Sequence, residues 1–336
     1  MKLIYIDESR RDEWEHLTKT NPASGYMQSF WWTEFKNLLG WQSYKIGIVE
    51  KDKLVGGTII SKYAHYKGRN TIEITEGPVL PYNNPEKAET MFHMLISEID
   101  TVADLTGENR TSHLSIEPKL TSIPAYFSRF RKAPVDQLPL RTLLIDLHKS
   151  DNELLREMKP KCRYNIKVAT KNDVRITKTT LPDGINDFLR LYTPFVKRTG
   201  FDGKDEDYFL CLADLLVRET DAVIYFAVLG NEILGTAMVL YYGHVATFLY
   251  GASSEKKKNM MAPYLLHWEI IRDAKKRGLA WYDFYGLAPG EDTETHPWQG
   301  FSVFKRKFGG VEVNYIGGYD FVYNEALYKR HLLEDR

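Results

Sequence analysis

The sequence contains two copies of one three-strand pattern, and this internal repeat limits the possible folds more than any other feature. In residues 44–79 and again in residues 224–253, an apolar segment, a short polar turn, a second apolar segment with an early glycine, a wider turn and a third apolar segment follow one another. This order predicts an antiparallel meander. When the two copies are aligned, Gly56 falls on Gly235, and a glycine inside a strand lets another backbone or a ligand approach the sheet. The repeat therefore predicts two related domains, each built on a central antiparallel sheet.

Composition fits two domains of ordinary size and argues against one class of partner. The 336 residues, of which 43% are hydrophobic and 13% aromatic, are enough for two full cores. The 45 basic side chains balance 45 acidic ones. This neutral total disfavours a general polyanion binder and leaves any nucleic-acid contact to local basic patches.

The sequence also indicates a compartment. No apolar run approaches the roughly 18–20 residues that cross a bilayer, and the first residues become polar too soon for a signal peptide. Cys162 and Cys211 have no CxxC spacing, as is usual in a reducing compartment, and the nine histidines show no metal-ligand spacing. We therefore expect a cytoplasmic protein with no transmembrane segment, no metal site and no cofactor.

Local patterns place the domain boundary. A predicted strand over residues 141–147 follows the boundary, and after it Ser150 and Glu153 form an S-x-x-E capping box for the first helix of the second domain. We assign residues 1–139 with 317–336 to the first domain and residues 140–316 to the second. Further patterns predict helices over residues 27–40, 159–171 and 185–192, and Gly40 is the expected stop of the first of them. They also predict a polar connection over residues 197–209 and a buried strand over residues 281–286.

The common catalytic motifs are missing from the sequence. It contains no GxSxG, P-loop, GxGxxG or HExxH, so hydrolase, kinase, dehydrogenase and metalloenzyme functions are disfavoured. Isolated candidates remain: Lys36 is a cation on a strongly apolar helix, and Glu117 is a carboxylate at a strand end. Arg163, Lys167 and Lys171 share one face of a predicted helix, which fits either a phosphate-contacting stripe or an ordinary solvated face.

The predicted order of elements, a meander followed by a helix and a further strand, resembles the GNAT N-acyltransferase fold. Users of acyl-CoA in that fold normally carry a glycine-rich turn after the third meander strand, because backbone N–H groups close on a pyrophosphate there. Residues 253–263, SSEKKKNMMAP, hold no glycine at that place. We therefore expect a fold of the α/β class (α+β type) with two GNAT-like domains, each a mixed, mostly antiparallel sheet flanked by helices, and a different activated acyl donor.

Several motifs, taken in order, resemble the FemABX aminoacyltransferases. They are QSFWWTEFK, EGPV after the first meander, KPKCRYNIKVATK early in the second domain, FLYGASS, and WYDFYG with FSVFKRKFGG near the end. The resemblance covers nearly the whole chain. It implies transfer of an amino acid from aminoacyl-tRNA to the stem-peptide amine of UDP-MurNAc-pentapeptide or lipid II, which forms the interpeptide bridge of peptidoglycan. Without the coiled-coil insertion of the FemA branch, the chain is similar to the compact FemX branch.

The resemblance also implies substrate-binding residues. Lys36 matches a lysine at the nucleotide-sugar diphosphate, and Tyr250 matches a pocket tyrosine. Lys204 and Tyr208 match an arginine and a tyrosine of the same pocket. The change from arginine to Lys204 removes bidentate phosphate geometry, which leaves the identity of the precursor open.

Catalytic and tRNA-contacting residues follow from the same resemblance. Lys305, beside Phe304, matches the lysine that engages the tRNA end and stabilises developing charge, and Glu117 stands where the family has an acidic residue. The basic side chains nearby are candidate tRNA contacts through shape and phosphate charge. These candidates are Arg163, Lys167, Lys256, Lys257, Lys258 and Lys307.

The implied reaction needs few protein groups. An aminoacyl ester is already activated, so attack by an amine requires alignment, loss of a proton and stabilisation of the oxyanion. We expect a monomer that associates only transiently with the inner membrane face. Two alternatives stay open. One is a GNAT-type N-acyltransferase that uses acyl-CoA or another amine acceptor, and the other is a non-catalytic nucleic-acid-binding module.

Overall fold

The computed structural model describes residues 1–65, 68–103, 105–106, 110–181, 183–201, 203–219, 221–288 and 297–334. The chain divides into two compact units. The first unit is Met1–Leu140 with Tyr315–Arg336, and the second unit is Arg141–Asn314.

Strands and helices alternate irregularly along both units. The strands are β1 (Lys2–Tyr5), β2 (Gln42–Glu50), β3 (Lys53–His65), β4 (Arg69–Thr75), β5 (Arg110–Glu117), β6 (Arg131–Lys132), β7 (Arg141–Asp146), β8 (Arg175–Thr180), β9 (Asp221–Leu229), β10 (Glu232–Tyr242), β11 (Val245–Ser253), β12 (Trp281–Asp283), β13 (Val311–Asn314) and β14 (Tyr319–Val322). The α-helices are α1 (Arg11–Thr20), α2 (Phe30–Leu38), α3 (Pro85–Val102), α4 (Asp151–Glu157), α5 (Pro160–Lys171), α6 (Ile185–Thr199), α7 (Glu206–Glu219), α8 (Ala262–Lys276), α9 (Gln299–Lys305) and α10 (Glu325–Glu334).

Each unit has a seven-stranded mixed sheet. The order is β1-β2-β3-β4-β5-β14-β6 in the first unit and β13-β7-β12-β11-β10-β9-β8 in the second. The pairs β4–β5 and β11–β12 are parallel and the other neighbours are antiparallel. These two mixed, mostly antiparallel sheets with flanking helices confirm the predicted fold class. None of the helices within the described ranges is both long and apolar enough to cross a membrane.

The repeat found in the sequence is present in both sheets. In β3 the register with β2 shifts by one residue just before Gly56, and Val55 is the extra residue. In β10 the register with β9 shifts in the same way just before Gly235, and Leu234 is the extra residue. The two aligned glycines therefore follow the same β-bulge in related hairpins, and the predicted repeat is confirmed.

Local capping signals explain where several helices begin and end. Ser150 and Glu153 form the predicted capping box at the start of α4. Ser29 accepts a hydrogen bond from the backbone N–H of Trp32 and so begins α2. Gly40 follows the end of α2 with a φ of 86°, which confirms its predicted role as a helix stop.

Two local predictions need correction. Helix α6 runs to Thr199 with Pro194 inside it, so the predicted helix over residues 185–192 was too short. It continues because Phe195 extends the buried stripe of Phe188 and Tyr192. The predicted strand over residues 281–286 was too long, because the chain leaves regular β conformation after β12.

Candidate functional site

The sheet of the second unit opens between β11 and β12. The pairing of these parallel strands ends at Thr247 and Asp283. Beyond this point β11 runs on to Ser253, whereas residues 284–287 remain with β7. The opening bounded by residues 248–253 and 284–288 is called the cleft here, and a cleft with a few convergent polar groups is a usual ligand site.

One wall of the cleft contains a bulge. The backbone N–H groups of Phe284 and Leu287 donate to the carbonyl groups of two β7 residues that are two positions apart. Three residues here span two on β7, so one residue is extra. Tyr285 and Gly286, which form this bulge, lie in the left-handed region with φ of 49° and 47°. Their carbonyl groups consequently do not point toward the hydrogen-bonding partners on β7.

A buried aspartate holds the bulge in place. Oδ1 of Asp283 accepts the backbone N–H of Tyr285 at 2.8 Å and also the hydroxyl of Thr142 on β7. A side-chain oxygen that accepts from the backbone two residues later forms an Asx turn, which replaces a backbone turn. Asp283 and Thr142 are both buried, so the carboxylate is a fixed part of this wall.

Lys305, at the end of α9, directs its ammonium group at the bulge. Nζ donates to the carbonyl oxygen of Tyr285 and, at 2.7 Å, to that of Gly286. It lies 5.7 Å from the centre of the Phe248 ring on β11. Burial lowers the pKa of Lys305 to about 7, and the negative charge of Asp283 opposes this shift. An ammonium group has three N–H donors, so the two bonds that it makes within the described part of the chain leave one for a bound substrate.

Aromatic side chains form the other wall. The hydroxyl of Tyr250 on β11 donates to that of Tyr208 on α7 at 3.2 Å, and the Tyr250 ring packs against Phe209 and Tyr192. Burial raises the pKa of Tyr208 to about 12 and the pKa of Tyr250 well above its usual value. Both phenols therefore stay protonated at neutral pH. Tyr208 lies close enough to Tyr285 that a negative charge on the Tyr285 phenol would raise the pKa of Tyr208 further. Tyr208 and Tyr250 are therefore near the bulge.

The structure brings the three predicted substrate-binding residues of the second unit together: Lys204, Tyr208 and Tyr250. Exposed Lys204 lies beside Tyr208, with Nζ 5.6 Å from the centre of its ring. Phe304 takes a different position: its ring packs against Tyr264 and His267 of α8. Phe304 therefore anchors α9 to α8, one position before Lys305.

In the first unit, Lys36 is already paired. Its Nζ lies 3.3 Å from Oε2 of Glu73 and 3.2 Å from the centre of the Trp41 ring. The other Glu73 oxygen accepts from the side-chain amide of Gln137 at 2.7 Å. The side chains of Lys36 and Glu73 are 14% and 13% exposed. An anionic ligand that binds Lys36 must therefore compete with Glu73 for its charge.

Glu117 is buried at the end of β5 with both carboxylate oxygens engaged. One accepts the backbone N–H of Gln137 at 3.0 Å and the other accepts that of Leu138 at 2.9 Å. Burial raises the pKa of Glu117 to about 7, and these two N–H groups oppose the rise. This geometry fixes the loop at residues 137–138 to the end of β5.

Comparison with known proteins identifies the family of the chain. The model of the FemAB family matches residues 10–122, 103–233 and 228–333. The chain belongs to the FemAB family. It is similar to a lipid II:glycine glycyltransferase of Staphylococcus epidermidis, at 22% identity over 396 aligned positions that cover 95% of this chain and 92% of that protein.

Two solved structures share the fold. That of FemX gives a TM-score of 0.86 at 18% identity and covers all of both chains. A tandem GNAT protein from the clavulanic acid biosynthesis pathway gives a TM-score of 0.53 at 9% identity, over 96% of this chain and 98% of that one. These structures confirm the prediction of two GNAT-like folds. The family match and the glycyltransferase relatives confirm the predictions of a FemABX member and of an aminoacyltransferase enzyme. The alignment of 396 positions is longer than this chain of 336 residues, so the staphylococcal relative has insertions that this FemAB-family chain lacks.

The basic side chains proposed for tRNA contact fall into two groups, of which the first is already paired. Arg163 donates to the carbonyl groups of Leu155 and Met158, so it caps the end of α4. The lysines of the turn before α8 pair with carboxylates. Lys256 and Lys257 lie 4.0 and 2.7 Å from Glu232, and Lys258 lies 2.6 Å from Glu255. Local acids therefore compensate the charge of this turn.

The second group is less compensated and centres on α5. Lys161, Tyr164, Lys167 and Lys171 are exposed on one side of this helix and are called the α5 face here. Tyr164 is 66% exposed, and α5 contains no acidic residue. Lys307 belongs with the same region, since its backbone carbonyl accepts from the N–H of Lys159 next to α5. Its Nζ lies 3.2 Å from the hydroxyl of Tyr264.

The turn before α8 is built differently from a pyrophosphate cradle. The N–H groups of Met260, Met261 and Tyr264 donate to backbone carbonyls inside the turn. They are thus engaged where an acyl-CoA user needs free donors. In the described part of the chain, no cluster of His, Cys, Asp and Glu side chains has a geometry suited to a metal ion.

Sequence reasoning missed Asp283, Thr142, Tyr285 and Gly286. The only local signal was the order Asp-Phe-Tyr-Gly, in which an aspartate precedes a glycine by three positions and favours a turn. The apolar residues around this aspartate fit the pattern of a buried strand, so the sequence predicted a strand there. Thr142 carried no signal, because its role depends on the pairing of β7 with β12.

Proposed function

We propose that this protein moves an amino acid from aminoacyl-tRNA to the stem-peptide amine of a peptidoglycan precursor, with the cleft of the second unit as the reaction site. The observation that carries the proposal is the ammonium group of Lys305, held by two carbonyl oxygens inside that cleft. The similarity to lipid II:glycine glycyltransferases supports a peptidoglycan precursor as the acceptor.

The reaction forms one amide and breaks one ester. The amine nitrogen attacks the ester carbonyl carbon, and the electron pair of the C=O bond moves to oxygen. When this intermediate collapses, the C–O bond to the tRNA ribose breaks, the ribose oxygen takes a proton and the amine nitrogen loses one. The remaining N–H of Lys305 stabilises the oxyanion, and a fixed donor of this kind contributes about 10²–10³ in rate. Tyr208 and Tyr250, which stay protonated, orient the substrate.

The first unit supplies a candidate site for the precursor. Lys36 binds a diphosphate oxygen in this proposal, with the Trp41 ring beneath its ammonium group. Because Glu73 holds the same ammonium group, precursor binding requires that this ion pair open or be shared. In this proposal the first unit binds the diphosphate of the precursor, and the second unit binds the aminoacyl end of the tRNA.

The α5 face is the candidate surface for the tRNA stem. Lys161, Lys167 and Lys171 are exposed on a helix that has no acidic residue of its own, so they can attract phosphates, and the exposed Tyr164 ring offers a surface for stacking or for ribose contact. This assignment differs from the first expectation, which gave equal weight to the turn at residues 256–258.

The test is a transfer assay read by mass. Purified protein is incubated with a mixture of charged tRNAs and either UDP-MurNAc-pentapeptide or lipid II, and the precursor mass is measured. We expect the mass of one precursor to rise by an aminoacyl residue, only with charged tRNA. Lys305→Ala should lower the rate about 10²–10³-fold.

A matched control is Lys178→Ala, because Lys178 is an ion-paired lysine on the edge strand β8. It should transfer at the wild-type rate. If neither precursor gains mass with any charged tRNA, or if Lys305→Ala transfers as fast as Lys178→Ala, the proposal is wrong. An acetyl gain in a parallel reaction with acetyl-CoA would favour the acyl-CoA alternative instead.

A further inference from the structure

We propose that Asp283, with Thr142, is the positioning residue that fixes Lys305 in the cleft through the Tyr285–Gly286 bulge. The catalytic part of this inference rests on the proposed aminoacyl transfer. The structural part states that the buried carboxylate of Asp283 acts on Lys305 through the bulge. It can be tested without any substrate.

The first step of the argument is geometric. Tyr285 is a residue with a Cβ held at a φ of 49°, in the left-handed region that is unfavourable for such residues. The bond from its N–H to Asp283 at 2.8 Å offsets this cost. Without that bond the extra residue of the bulge loses its anchor, and the two carbonyl groups that hold Lys305 lose their direction.

The second step concerns how Asp283 itself is held. Its Oδ1 accepts from Thr142, whose side chain comes from the neighbouring strand β7. The pairing of β12 with β7 places Asp283 opposite Leu144, so the two side chains meet through the sheet and not through a loop. A rigid strand thereby fixes the carboxylate, the carboxylate fixes the bulge, and the bulge fixes the ammonium group.

The third step concerns charge. Within the described ranges, two ionisable groups interact with Lys305 from the elements packed against it: Asp283 at the end of β12 and His267 on α8. Burial lowers the pKa of His267 to about 3, so this ring is neutral at working pH. Among the residues that the structure describes, Asp283 is then the group whose negative charge favours the protonated form of Lys305 against burial. One side chain therefore sets both the place and the protonation of the lysine.

The test separates charge from position with two substitutions of nearly equal shape. Asp283→Asn keeps an oxygen that can accept from Tyr285 and Thr142 but removes the charge. Thr142→Val keeps the charge but removes the hydroxyl that holds the carboxylate. Asp146→Asn, a carboxylate on β7 that pairs with exposed His148, is the matched control. Thermal unfolding of each variant checks that it folds.

The first measurement is an NMR titration of ¹³C-labelled lysine, with the Lys305 signal assigned from its absence in Lys305→Met. In Asp283→Asn we expect the midpoint of Lys305 to fall by about one pH unit or more. Asp146→Asn should leave the midpoint unchanged. A midpoint in a folded Asp283→Asn protein that equals the wild-type value would overturn the proposal.

The second measurement is transfer kinetics. Asp283→Asn and Thr142→Val should each lower kcat about tenfold or more, with KM for the precursor kept, because an oxyanion donor is misplaced or uncharged. Loss of precursor binding with kcat kept would contradict the positioning role. If the wild-type protein transfers no amino acid, the proposed function fails, while the NMR titration still decides whether Asp283 controls the protonation of Lys305.

Discussion

Burial shifts the pKa of an acid, Glu117, and the pKa of a base, Lys305, toward the same value. Burial raises the pKa of Glu117 to about 7 and lowers that of Lys305 to about 7. The surroundings of the two groups differ. Both oxygens of Glu117 accept backbone N–H groups, whereas Lys305 lies at the wall of a cleft. We infer that Glu117 supports the loop at residues 137–138 and that Lys305 meets substrate.

Glu117→Gln should change how stability depends on pH. The folded-state pKa of Glu117 lies above that of an unfolded glutamate, so the folded state binds more protons between pH 4.5 and 7. The stabilising contribution of the protonated group is therefore complete below pH 4.5 and is lost as pH rises through 7. The shift corresponds to about 3 kcal/mol. Urea unfolding at pH 5 and at pH 8 measures it.

The expected result is that Glu117→Gln gains stability relative to wild type between pH 5 and pH 8. A glutamine also loses one acceptor oxygen for the loop N–H groups, so the variant can be the less stable protein at pH 5. An equal stability difference at the two pH values would mean that Glu117 has an ordinary pKa.

At the scale of elements, the repeated hairpin shows how one sequence pattern meets two environments. A Cβ at Gly56 would contact Cε of Met91 too closely and would lie 2.7 Å from the carbonyl oxygen of Val79. A Cβ at Gly235 would meet no atom closer than Cδ2 of Leu266 at 3.6 Å. The absence of a Cβ at Gly56 therefore lets the backbone of Val79 approach the sheet. At Gly235 no backbone comes as close.

Gly56→Ala and Gly235→Ala form a matched pair. Overpacking against a backbone oxygen should destabilise the Gly56 variant by about 1–3 kcal/mol. The Gly235 variant should stay within about 0.5 kcal/mol of wild type, since its new methyl group makes ordinary contacts. Thermal melts compare them. Similar melting temperatures for both variants would show that the environments of the two hairpins are alike.

The α5 face gives a second prediction at this scale. Replacing Lys161 and Lys167 by Ala should weaken tRNA binding and reduce the slope of log affinity against log salt by about 0.7–0.9 for each phosphate that a lysine no longer neutralises. The same change at Lys256 and Lys257, which pair with Glu232, should have a smaller effect. Fluorescence anisotropy with labelled tRNA over a salt series measures both. A greater weakening at Lys256 and Lys257 would place the tRNA at that turn.

Elements with strong local signals could be predicted from the sequence. The hairpin repeat, the capping box at Ser150 and the helix stop at Gly40 depend on neighbours along the chain, and the structure has them where the sequence placed them. Lys204, Tyr208 and Tyr250 were grouped by family resemblance, and the fold brings them together.

The remaining parts of the site depend on contacts that no local pattern contains. Tyr285 adopts a left-handed conformation because Asp283 holds it, and nothing in a tyrosine signals this. Arg163 lies in a regular row of basic residues, yet it turns to the end of α4. The ion pair of Lys36 with Glu73 joins a helix to a strand 37 positions away in the sequence.

For the whole molecule, the arrangement of the chain matters more than any single contact. The first unit is discontinuous, because β14 enters its sheet between β5 and β6 only after the complete second unit. The second unit is a continuous segment of the chain. Strand β14 pairs with β5 over four residues, from Tyr319 to Val322.

Removal of residues 315–336 should therefore damage one unit and spare the other. Without β14, the strand β5 loses an antiparallel neighbour, and we expect faster amide hydrogen exchange in β5. Strands β10 and β11 of the same molecule serve as the internal control and should keep their protection. Hydrogen exchange read by mass spectrometry tests this. Unchanged exchange in β5 would show that its sheet is stable without β14.

The return of β14 to the first sheet also reverses the order in which the two units can be completed during synthesis. A ribosome releases β1 to β5 first, but their sheet lacks an inner strand until β14 emerges. The second unit needs no later residue to finish its sheet. During synthesis, the first unit must therefore remain partly assembled until the whole second unit and then β14 have been made.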